Sequence, residues 1–371
     1  MAVYYFALGH QPHISQAEID AVLTKLGISF RFIHQNAQLL ILETTPDLPV
    51  EKLASTLGGI VKIGRKILEK NLANFFANSQ TEGKIQFSLS GQNADKLGLT
   101  IKKELRGRGR SARYIPAKNT ATIFHNHLIE KQGDITLTPQ GNFVTVAIQP
   151  FMEFTERDYG RPESDDYSGM LPPKLARIMI NLSQAPDSAL IYDPFCGSGT
   201  ILTEAASLGY KQLLGSDLSP KAIADTKKNL DWLQDRYQLA GIQPRLFVSS
   251  VEDINQEIKT SSVPFIITEP FLGKPLTGRE KTTEIEQTIA ELNDLYYHSF
   301  LAFNKIMTKN GLVIFIIPKF KHNNNWLAVD CIEKIKSAGF IHRPFSLEQP
   351  CLDYHRPDQH LARTIWKFQK I

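Results

Sequence analysis

A short run between Ala189 and Thr200 has the residue types of a ligand-binding turn between a strand and a helix. An apolar strand is predicted to end in Asp193, after which the chain passes Gly197 and Gly199 and enters a helix near Thr200. The small residues let the backbone approach a ligand at the carboxyl end of the strand. The strand-end acid favours a cationic amino group over a pyrophosphate, and no Gly-Lys-Ser/Thr follows, which excludes a P-loop.

A second acid, Asp217, ends the next apolar strand, 24 residues after Asp193. A carboxylate at this place in an open α/β sheet can accept hydrogen bonds from both hydroxyls of a ribose. One strand-end acid is commonplace, but two at this spacing, with Gly-Ser-Gly-Thr between them, are specific. The pair predicts a ligand that has both an amino group and a ribose.

The elements that must position these acids alternate between strand and helix. Short apolar strands are predicted near 189–193, 212–216, 245–249, 264–268 and 312–317, with helical stretches between them. This alternation is typical of a doubly wound parallel sheet. The second half of the chain is therefore predicted to be a doubly wound α/β domain.

The first 150 residues have a different, α+β pattern. Strands are predicted at 3–8, 38–43, 85–89 and 143–148, and helical patterns at 50–58 and 73–79. A further helix is predicted to begin at Ser15, an N-cap residue with Glu18 three positions later, as in a capping box, and to stop at Gly27. We expect two small units here, followed by a linker in the Gly-, Pro-, Asp- and Ser-rich stretch 155–172.

Composition limits the class of protein. The 371 residues are 42% hydrophobic and 22% charged, which is ordinary for a globular protein of two or three domains. No apolar stretch approaches the roughly 18 residues of a membrane span, and the apolar start lacks the basic segment of a signal peptide. Cys196, Cys331 and Cys351 form no CxxC pair, which argues against a zinc knuckle or a disulfide framework. We expect a cytoplasmic protein.

The formal net charge of +4 conceals a gradient along the chain. Residues 1–150 contain 17 Lys and Arg against 11 Asp and Glu, whereas the remaining residues contain 25 against 27. The excess is concentrated in 96–118, where eight basic residues accompany one acid, Glu104. This density favours a polyanionic partner, although a solvated charged face is an equal alternative. The alternating arginines and glycines of 106–111 predict a flexible loop that could approach phosphates.

The run at 193–200, Asp-Pro-Phe-Cys-Gly-Ser-Gly-Thr, resembles motif I of the amino-group S-adenosylmethionine (SAM) methyltransferases. Two other segments narrow the resemblance. Residues 8–19 are similar to the opening of the THUMP-domain tRNA (guanine-N2-)methyltransferases, and 170–182 resemble the segment before motif I in that family. The basic region 96–118 lies where the family's THUMP domain is expected. The resemblance covers nearly the whole chain and is weakest in the THUMP body.

The resemblance implies a Rossmann-like SAM methyltransferase domain preceded by an α+β region with a THUMP domain. The implied boundaries are a ferredoxin-like α+β unit at 1–50, a THUMP RNA-binding domain at 51–150, a linker at 151–172 and the methyltransferase domain at 173–371. The expected partner is tRNA, and the family leaves open a small zinc-containing activator subunit. The residues expected to bind RNA are Lys102, Lys103, Arg106, Arg108, Arg110, Arg113 and Lys118.

The same resemblance implies which residues hold SAM, and it requires no metal. Asp193 is expected at the amino group and Asp217 at the ribose. After the third strand, Ser250 stands where the family usually has an Asp near the adenine, so Glu252 or Asp253 is expected to serve instead. The other residues expected to bind SAM are Phe195, Gly197, Gly199, Thr200 and Leu218.

The acceptor site is expected at 268–273, at the end of the fourth strand. Related enzymes have Asp, Asn or Ser here, then Pro-Pro and an aromatic residue. A side-chain oxygen and a proline carbonyl accept the two N–H bonds of a poorly nucleophilic base amine, and the aromatic ring stacks on the flipped base. In this chain Thr268 takes the first position, Glu269 replaces the first proline, and Pro270 and Phe271 match the motif.

The leading hypothesis is methyl transfer from SAM to the exocyclic N2 amine of a guanosine in tRNA, at position 10 by family resemblance. Two alternatives remain. Because Thr268 carries no charge, the chain could be an inactive or weakly active tRNA-binding relative. It could also be a DNA amino-methyltransferase, since these enzymes share the order of motifs. The basic first half favours tRNA over DNA.

Overall fold

The computed structural model describes residues 1–164, 171–276, 278–323, 325–345, 349–356 and 359–371. Its internal contacts divide the chain into two compact units. The first contains Met1–Gln16 and Leu26–Pro150, and the second contains Ala17–Lys25 and Phe151–Ile371. None of the described helices is both long and apolar enough to cross a membrane.

The first unit is built on one eight-stranded sheet with the strand order β2-β3-β1-β4-β8-β7-β5-β6. The strands are β1 (Ala2–Leu8), β2 (Ser29–Gln35), β3 (Leu39–Thr45), β4 (Ile60–Lys66), β5 (Ile85–Ser90), β6 (Ala112–Tyr114), β7 (Asp134–Thr138) and β8 (Gly141–Ile148). The helices up to residue 150 are α1 (Pro12–Lys25), α2 (Val50–Thr56), α3 (Leu72–Ser79), α4 (Ala94–Gly107) and α5 (Thr120–His125). The predicted boundary at residue 50 does not divide this sheet, because β1 pairs with β3 on one side and with β4 on the other.

The helix α1 begins at Pro12, three residues before the predicted N-cap. Proline is favoured at the first helical position because its fixed φ suits the helix and its missing N–H is not needed there. Ser15 therefore lies inside the helix, where its hydroxyl donates to the Gln11 carbonyl at 3.1 Å. The predicted capping box is wrong, since the buried Glu18 accepts a hydrogen bond from the Asn181 side chain at 2.7 Å.

Much of the basic region 96–118 is helical. The predicted flexible loop is wrong at its start, because α4 continues to Gly107 and buries Ile101 and Leu105. Gly98 allows this helix to approach β6, since a Cβ at that position would lie 2.5 Å from the Tyr114 ring. The basic side chains of α4 are consequently carried by a packed helix.

The second unit is built on a nine-stranded sheet whose main order is β11-β10-β9-β12-β13-β17-β15. Its strands are β9 (Leu190–Asp193), β10 (Gln212–Asp217), β11 (Arg245–Val248), β12 (Val263–Thr268), β13 (Met307–His322), β14 (Asn325–Ala328), β15 (Phe340–His342), β16 (Leu352–Tyr354) and β17 (Leu361–Lys370). The strands β9 to β13 are parallel, and β17 is antiparallel to β13. This confirms the prediction of a doubly wound α/β domain, with its strand order reversing between β9 and β12.

Helices cover this sheet and connect its strands. They are α6 (Phe151–Tyr159), α7 (Pro173–Leu182), α8 (Thr200–Ser207), α9 (Pro220–Tyr237), α10 (Ile254–Glu257), α11 (Thr282–Ile306) and α12 (Ile332–Ser337). The prediction of a linker at 151–172 is wrong for its first part, which forms the helix α6. Residues 165–170 of the predicted linker lie outside the described residues. Arg157 of α6 is buried, and its Nε donates to the buried Glu204 of α8 at 2.6 Å. Arg177 of α7 pairs with the same carboxylate at 2.7 Å.

Candidate cofactor and acceptor cleft

The loops after four parallel strands of the second unit line one cleft of about 700 Å³. They follow β9, β10, β11 and β12, so the cleft lies at the carboxyl ends of the strands around the reversal in strand order. The structure brings together here most of the residues predicted to bind the cofactor and most of those predicted at the acceptor site. These residues are Asp193, Phe195, Gly197, Thr200, Asp217, Leu218, Glu269, Pro270 and Phe271.

Asp217 is held by backbone donors on both of its carboxylate oxygens. Its Oδ2 accepts the Gly197 N–H at 3.0 Å, and its Oδ1 accepts the Ser219 N–H at 2.9 Å. Gly197 has a φ of +52°, and a Cβ added there would meet nothing within 4 Å. The open space at Gly197 leaves room for a ligand beside the Asp217 carboxylate.

Asp193 is a buried carboxylate that connects the two ends of the cleft. Its Oδ1 accepts the Thr268 hydroxyl at 2.7 Å and the Phe195 N–H at 3.2 Å. Burial raises the pKa of Asp193 to about 7, against the lowering effect of these two hydrogen bonds. A desolvated carboxylate of this kind gains from a nearby positive charge, so the site suits a cationic ligand.

Gly199 and Thr200 form the start of α8, and they differ in role. Gly199 does not line the cleft, contrary to its predicted place among the cofactor ligands. Its φ is +85°, and a Cβ there would lie 2.9 Å from Cγ2 of Thr226. Gly199 thus sets the turn, whereas Thr200 lines the cleft and accepts a hydrogen bond from Nη1 of Arg161 at 2.7 Å.

The prediction that Glu252 or Asp253 serves near the adenine is not supported by their positions. Both residues are exposed and outside the cleft, whose lining after β11 consists of Ser249, Ser250 and Val251. The chain turns away because the Glu252 N–H donates to the Ser250 hydroxyl and the Asp253 N–H to the Ser250 carbonyl. Their residue type pointed to a ligand, but the turn at the strand end decides which side chains reach the cleft.

Thr268 is fully buried and does not line the cleft. The last residue of β12 directs its hydroxyl towards the neighbouring strand β9, where it donates to Asp193. The burial of Thr268 and its hydrogen bond to Asp193 do not support the prediction that its side chain accepts a hydrogen bond from a substrate amine. Thr268 instead orients the Asp193 carboxylate.

Glu269 does reach the cleft, and its carboxylate is fixed by a residue that sequence reasoning missed. Its Oε1 accepts Nε of Arg363 on β17 at 2.6 Å, and the two side chains are only 15% and 10% exposed. Burial raises the pKa of Glu269, while Arg363 acts in the opposite direction. No sequence signal joined the two residues, which are 94 positions apart.

Phe271 presents an exposed ring at the acceptor end. The residue is 56% exposed, and the backbone carbonyl of Phe271 accepts a hydrogen bond from the hydroxyl of Tyr296 on α11 at 2.8 Å. Tyr296 is fully buried in the core of the second unit. The acceptor loop is thus anchored at Glu269 and at Phe271 by two elements that follow it in the chain.

The basic residues predicted to bind RNA lie in the first unit and fall into two groups. Arg108 donates to Glu104 at 2.5 Å and to Asn74 at 2.7 Å, and Arg110 donates to the Gln80 carbonyl at 2.6 Å. Lys102 is half-buried, and the remaining four side chains are exposed. Neither Lys102 nor any of these four exposed residues forms an ion pair within the part of the chain that the structure describes. The four exposed residues are Lys103, Arg106, Arg113 and Lys118.

Known proteins resemble this chain in sequence and in fold. Residues 161–339 match the family model of the RMKL-like methyltransferase domain, and residues 67–228 match a DNA methylase model. The tRNA (guanine(10)-N2)-dimethyltransferase of Methanocaldococcus jannaschii is 28% identical over 180 residues, which cover 47% of each chain. This chain therefore spans about half the length of that curated relative.

Two solved structures share the fold over the whole chain. TrmN from Thermus thermophilus superimposes with a TM-score of 0.53 at 14% identity, covering 100% of both chains. SMU.472, whose structure was determined in complex with S-adenosylhomocysteine (SAH), has a TM-score of 0.50 at 13% identity, and the match covers 100% of this chain and 99% of that chain.

The strand order and the strand-end cleft define a Rossmann-like fold of the SAM-dependent methyltransferase class. Residues 161–339 of the second unit, slightly less than half of the chain, match the model of the RMKL-like methyltransferase domain. The family resemblance found in the sequence is confirmed for this part of the chain, while the THUMP domain stays a prediction.

Proposed function

We propose that this protein transfers a methyl group from SAM to the exocyclic N2 amine of a guanosine in tRNA, at position 10. The observation that carries the proposal is that the two strand-end acids and the acceptor loop line the same cleft. The choice of substrate follows the archaeal relative, which is named a tRNA (guanine(10)-N2)-dimethyltransferase.

The cofactor end of the cleft fits SAM. When bound, SAM supplies a methyl group activated by a positively charged sulfur. Asp193 favours the cationic amino group, Asp217 accepts from the ribose hydroxyls, and the exposed Leu218 offers an apolar surface to the adenine. The bare backbone of Gly197 leaves the space that such a ligand needs.

At the acceptor end, the chain orients the base. The Phe271 ring stacks on a guanine that has left its helix, and Pro270 lines the pocket beside it. With Thr268 committed to Asp193, the hydrogen bonds of the amine fall to the backbone and side chain of Glu269. Catalysis then depends mainly on holding the amine in line with the methyl group.

The first unit supplies the affinity for RNA in this proposal. Its exposed Lys103, Arg106, Arg113 and Lys118 are suited to phosphate contacts, and residues 51–150 are proposed to be the THUMP domain. A small zinc-containing activator subunit, which the family resemblance left open, is a separate expectation. It becomes unnecessary if the purified chain is active alone.

The experiment that tests the proposal compares two nucleic acids. The purified protein, labelled SAM and either tRNA transcripts or duplex DNA are incubated side by side, and the products are identified by nucleoside mass spectrometry. We expect N2-methylguanosine in tRNA and none of the label in DNA. Asp217→Ala is the control that loses transfer because it cannot hold SAM.

The match of residues 67–228 to a DNA methylase model makes DNA the second candidate substrate. Transfer to adenine or cytosine in DNA alone would replace our proposal with that activity. Binding of tRNA without any transfer, both with the isolated protein and with a cell extract added, would instead favour the non-catalytic binder.

A further inference from the structure

Glu269 places a carboxylate in the acceptor loop, at a position where the related motif has a proline. It lines the cleft, and its Oε1 accepts Nε of Arg363 at 2.6 Å. Arg363 lies on β17, which pairs with β13 over nine residues from Leu312 to Phe320. The ion pair therefore fixes this carboxylate to the central sheet instead of leaving it on a mobile side chain.

A carboxylate held in this way still has accepting capacity. An ionised carboxylate has two oxygens with about four lone-pair sites, so the hydrogen bond from Arg363 does not exhaust them. Hydrogen bonds to a charged acceptor are roughly twice as strong as those between neutral groups. Arg363 also opposes the rise in the pKa of Glu269 that burial causes, which favours the ionised, accepting form.

Base edges differ in what they offer to such an acceptor. Guanine presents N1–H and N2–H side by side, so both oxygens of a carboxylate can be satisfied. Adenine and cytosine present their amine beside a ring nitrogen that is itself an acceptor, and its lone pair would face the negative charge. Enzymes that extrude a base read it by hydrogen bonds to this same edge.

We infer that Glu269, positioned by Arg363, selects guanine by accepting hydrogen bonds from its N1–H and N2–H groups. This inference rests on the proposed function and adds to it the feature that determines base specificity. Glu269 is the residue that touches the base, and Arg363 is a positioning residue. The same arrangement disfavours the adenine and cytosine acceptors of DNA amino-methyltransferases.

The test uses two tRNA substrates that differ in one base. At the nucleotide that the wild-type protein methylates, the tRNA carries either guanosine or 2-aminopurine ribonucleoside, introduced by ligation. The latter keeps the N2 amine but has an acceptor at N1 in place of the N1–H donor. Two quantities are measured for each substrate: kcat/KM for methyl transfer, and Kd for the tRNA in the presence of SAH.

We expect Glu269→Gln to change the preference between the guanosine and 2-aminopurine substrates, and not only to lower the rate of methyl transfer. The wild-type protein should favour guanosine by at least about 10-fold in both quantities, as expected for loss of one of two paired hydrogen bonds. Glu269→Gln offers one acceptor and one donor, which match 2-aminopurine, and should shift the ratio towards 2-aminopurine by at least about 10-fold.

Asp353→Asn is the matched control. This carboxylate on β16 also pairs with a basic residue of the same sheet, Lys319 at 2.7 Å, but it does not line the cleft. The Asp353→Asn variant should keep the wild-type ratio between the guanosine and 2-aminopurine substrates, both in kcat/KM and in Kd. An unchanged ratio in Glu269→Gln would overturn the inference. If that variant does not fold, equal wild-type affinity for the two tRNAs would overturn it as well.

Failure of the proposed function gives a different result. If the wild-type protein transfers no methyl group to guanosine in tRNA, the function itself is wrong, whatever Glu269 contacts. If the wild-type protein methylates guanosine but treats the two substrates alike, the function stands and only the role of Glu269 is wrong.

Discussion

The two ends of the cleft hold their carboxylates in different ways. At the cofactor end, Asp217 is held by the N–H groups of Gly197 and Ser219, both within 20 residues of it in sequence. At the acceptor end, Glu269 is held by the side chain of Arg363, 94 residues further along the chain. The cofactor end is thus made from local backbone, and the acceptor end from a tertiary contact between side chains.

This difference has a consequence for specificity. Substitutions other than proline leave backbone donors in place, so side-chain changes at the cofactor end act mainly through the carboxylates themselves. The acceptor end can change its hydrogen-bonding pattern by substitution at Glu269 or Arg363. Asp193 connects the two ends because it accepts from the Phe195 backbone and from Thr268.

The largest effect is expected when the cofactor end loses its second acid. Asp217→Ala should weaken SAM binding by at least about 100-fold, because hydrogen bonds to a charged group contribute roughly 1.5–3 kcal/mol each. Isothermal titration with SAM measures the change. Asp231→Ala on the exposed side of α9, which removes a loose ion pair with Lys227, is the control that should bind SAM normally. Normal binding by Asp217→Ala would refute the cofactor assignment.

A somewhat smaller effect is expected on the free energy of unfolding, which should depend on pH through the titration of Asp193. Its pKa is about 7 in the folded protein, above the ordinary value of 3.8 for this group, so the free protein gains stability as the pH falls from about 8 to 5. A shift of this size corresponds to about 2–3 kcal/mol over that range. Asp193→Asn keeps an accepting oxygen without the buried charge.

Chemical denaturation of the ligand-free protein checks this pH dependence. Asp193→Asn should be more stable than the wild type at pH 8, and the two should converge at pH 5. Equal stability of the two proteins at pH 8 would show that burial does not destabilise the Asp193 carboxylate, and would remove the argument for a cationic ligand at that point.

At the acceptor end, Phe271→Ala should raise KM for tRNA by about 10-fold, since stacking of a base on an aromatic ring contributes roughly 1–3 kcal/mol. Affinity for SAM should stay unchanged, because the loop backbone is held by Tyr296. Tyr159→Ala removes a more exposed aromatic ring at the end of α6, outside the cleft, and serves as the control. A parallel loss of SAM affinity in Phe271→Ala would mean that the two ends are not separable.

The smallest effects are expected in the first unit. Replacing Lys103 and Arg106 by Ala should weaken tRNA binding a few-fold and reduce the slope of log affinity against log salt by roughly 0.7–0.9 for each phosphate that the protein no longer neutralises. Arg108 and Arg110 already have partners within the protein, so their double Ala variant should change the slope less. Filter binding at several salt concentrations compares the two. An equal change in slope would contradict this division.

The sequence predicted the parts of the fold and site that depend on neighbouring residues. Asp193, Gly197 and Asp217 lie together because a strand, a glycine turn and a helix fix their backbone, and that pattern is visible in the sequence. The five parallel strands could be predicted because apolar strands and helical stretches alternate along the second half of the sequence. The capping box at Ser15 failed because Pro12 starts the helix and Glu18 has a remote partner.

The parts that could not be predicted depend on contacts between distant residues. Arg363 and Tyr296 follow the acceptor loop by many residues, and only the folded sheet and α11 bring them to it. Thr268 matched the motif by position, but the direction of its hydroxyl is set by the neighbouring strand. The burial of Arg157 and Arg177 likewise could not be predicted without knowing that both side chains pair with Glu204 in the folded protein.

The most direct test of the central claim is nucleoside mass spectrometry of tRNA from cells with and without this protein. We predict that an N2-methylated guanosine is lost without the protein, returns with the wild-type protein and does not return with Asp217→Ala. An unchanged tRNA methylation profile in cells lacking the protein would contradict it.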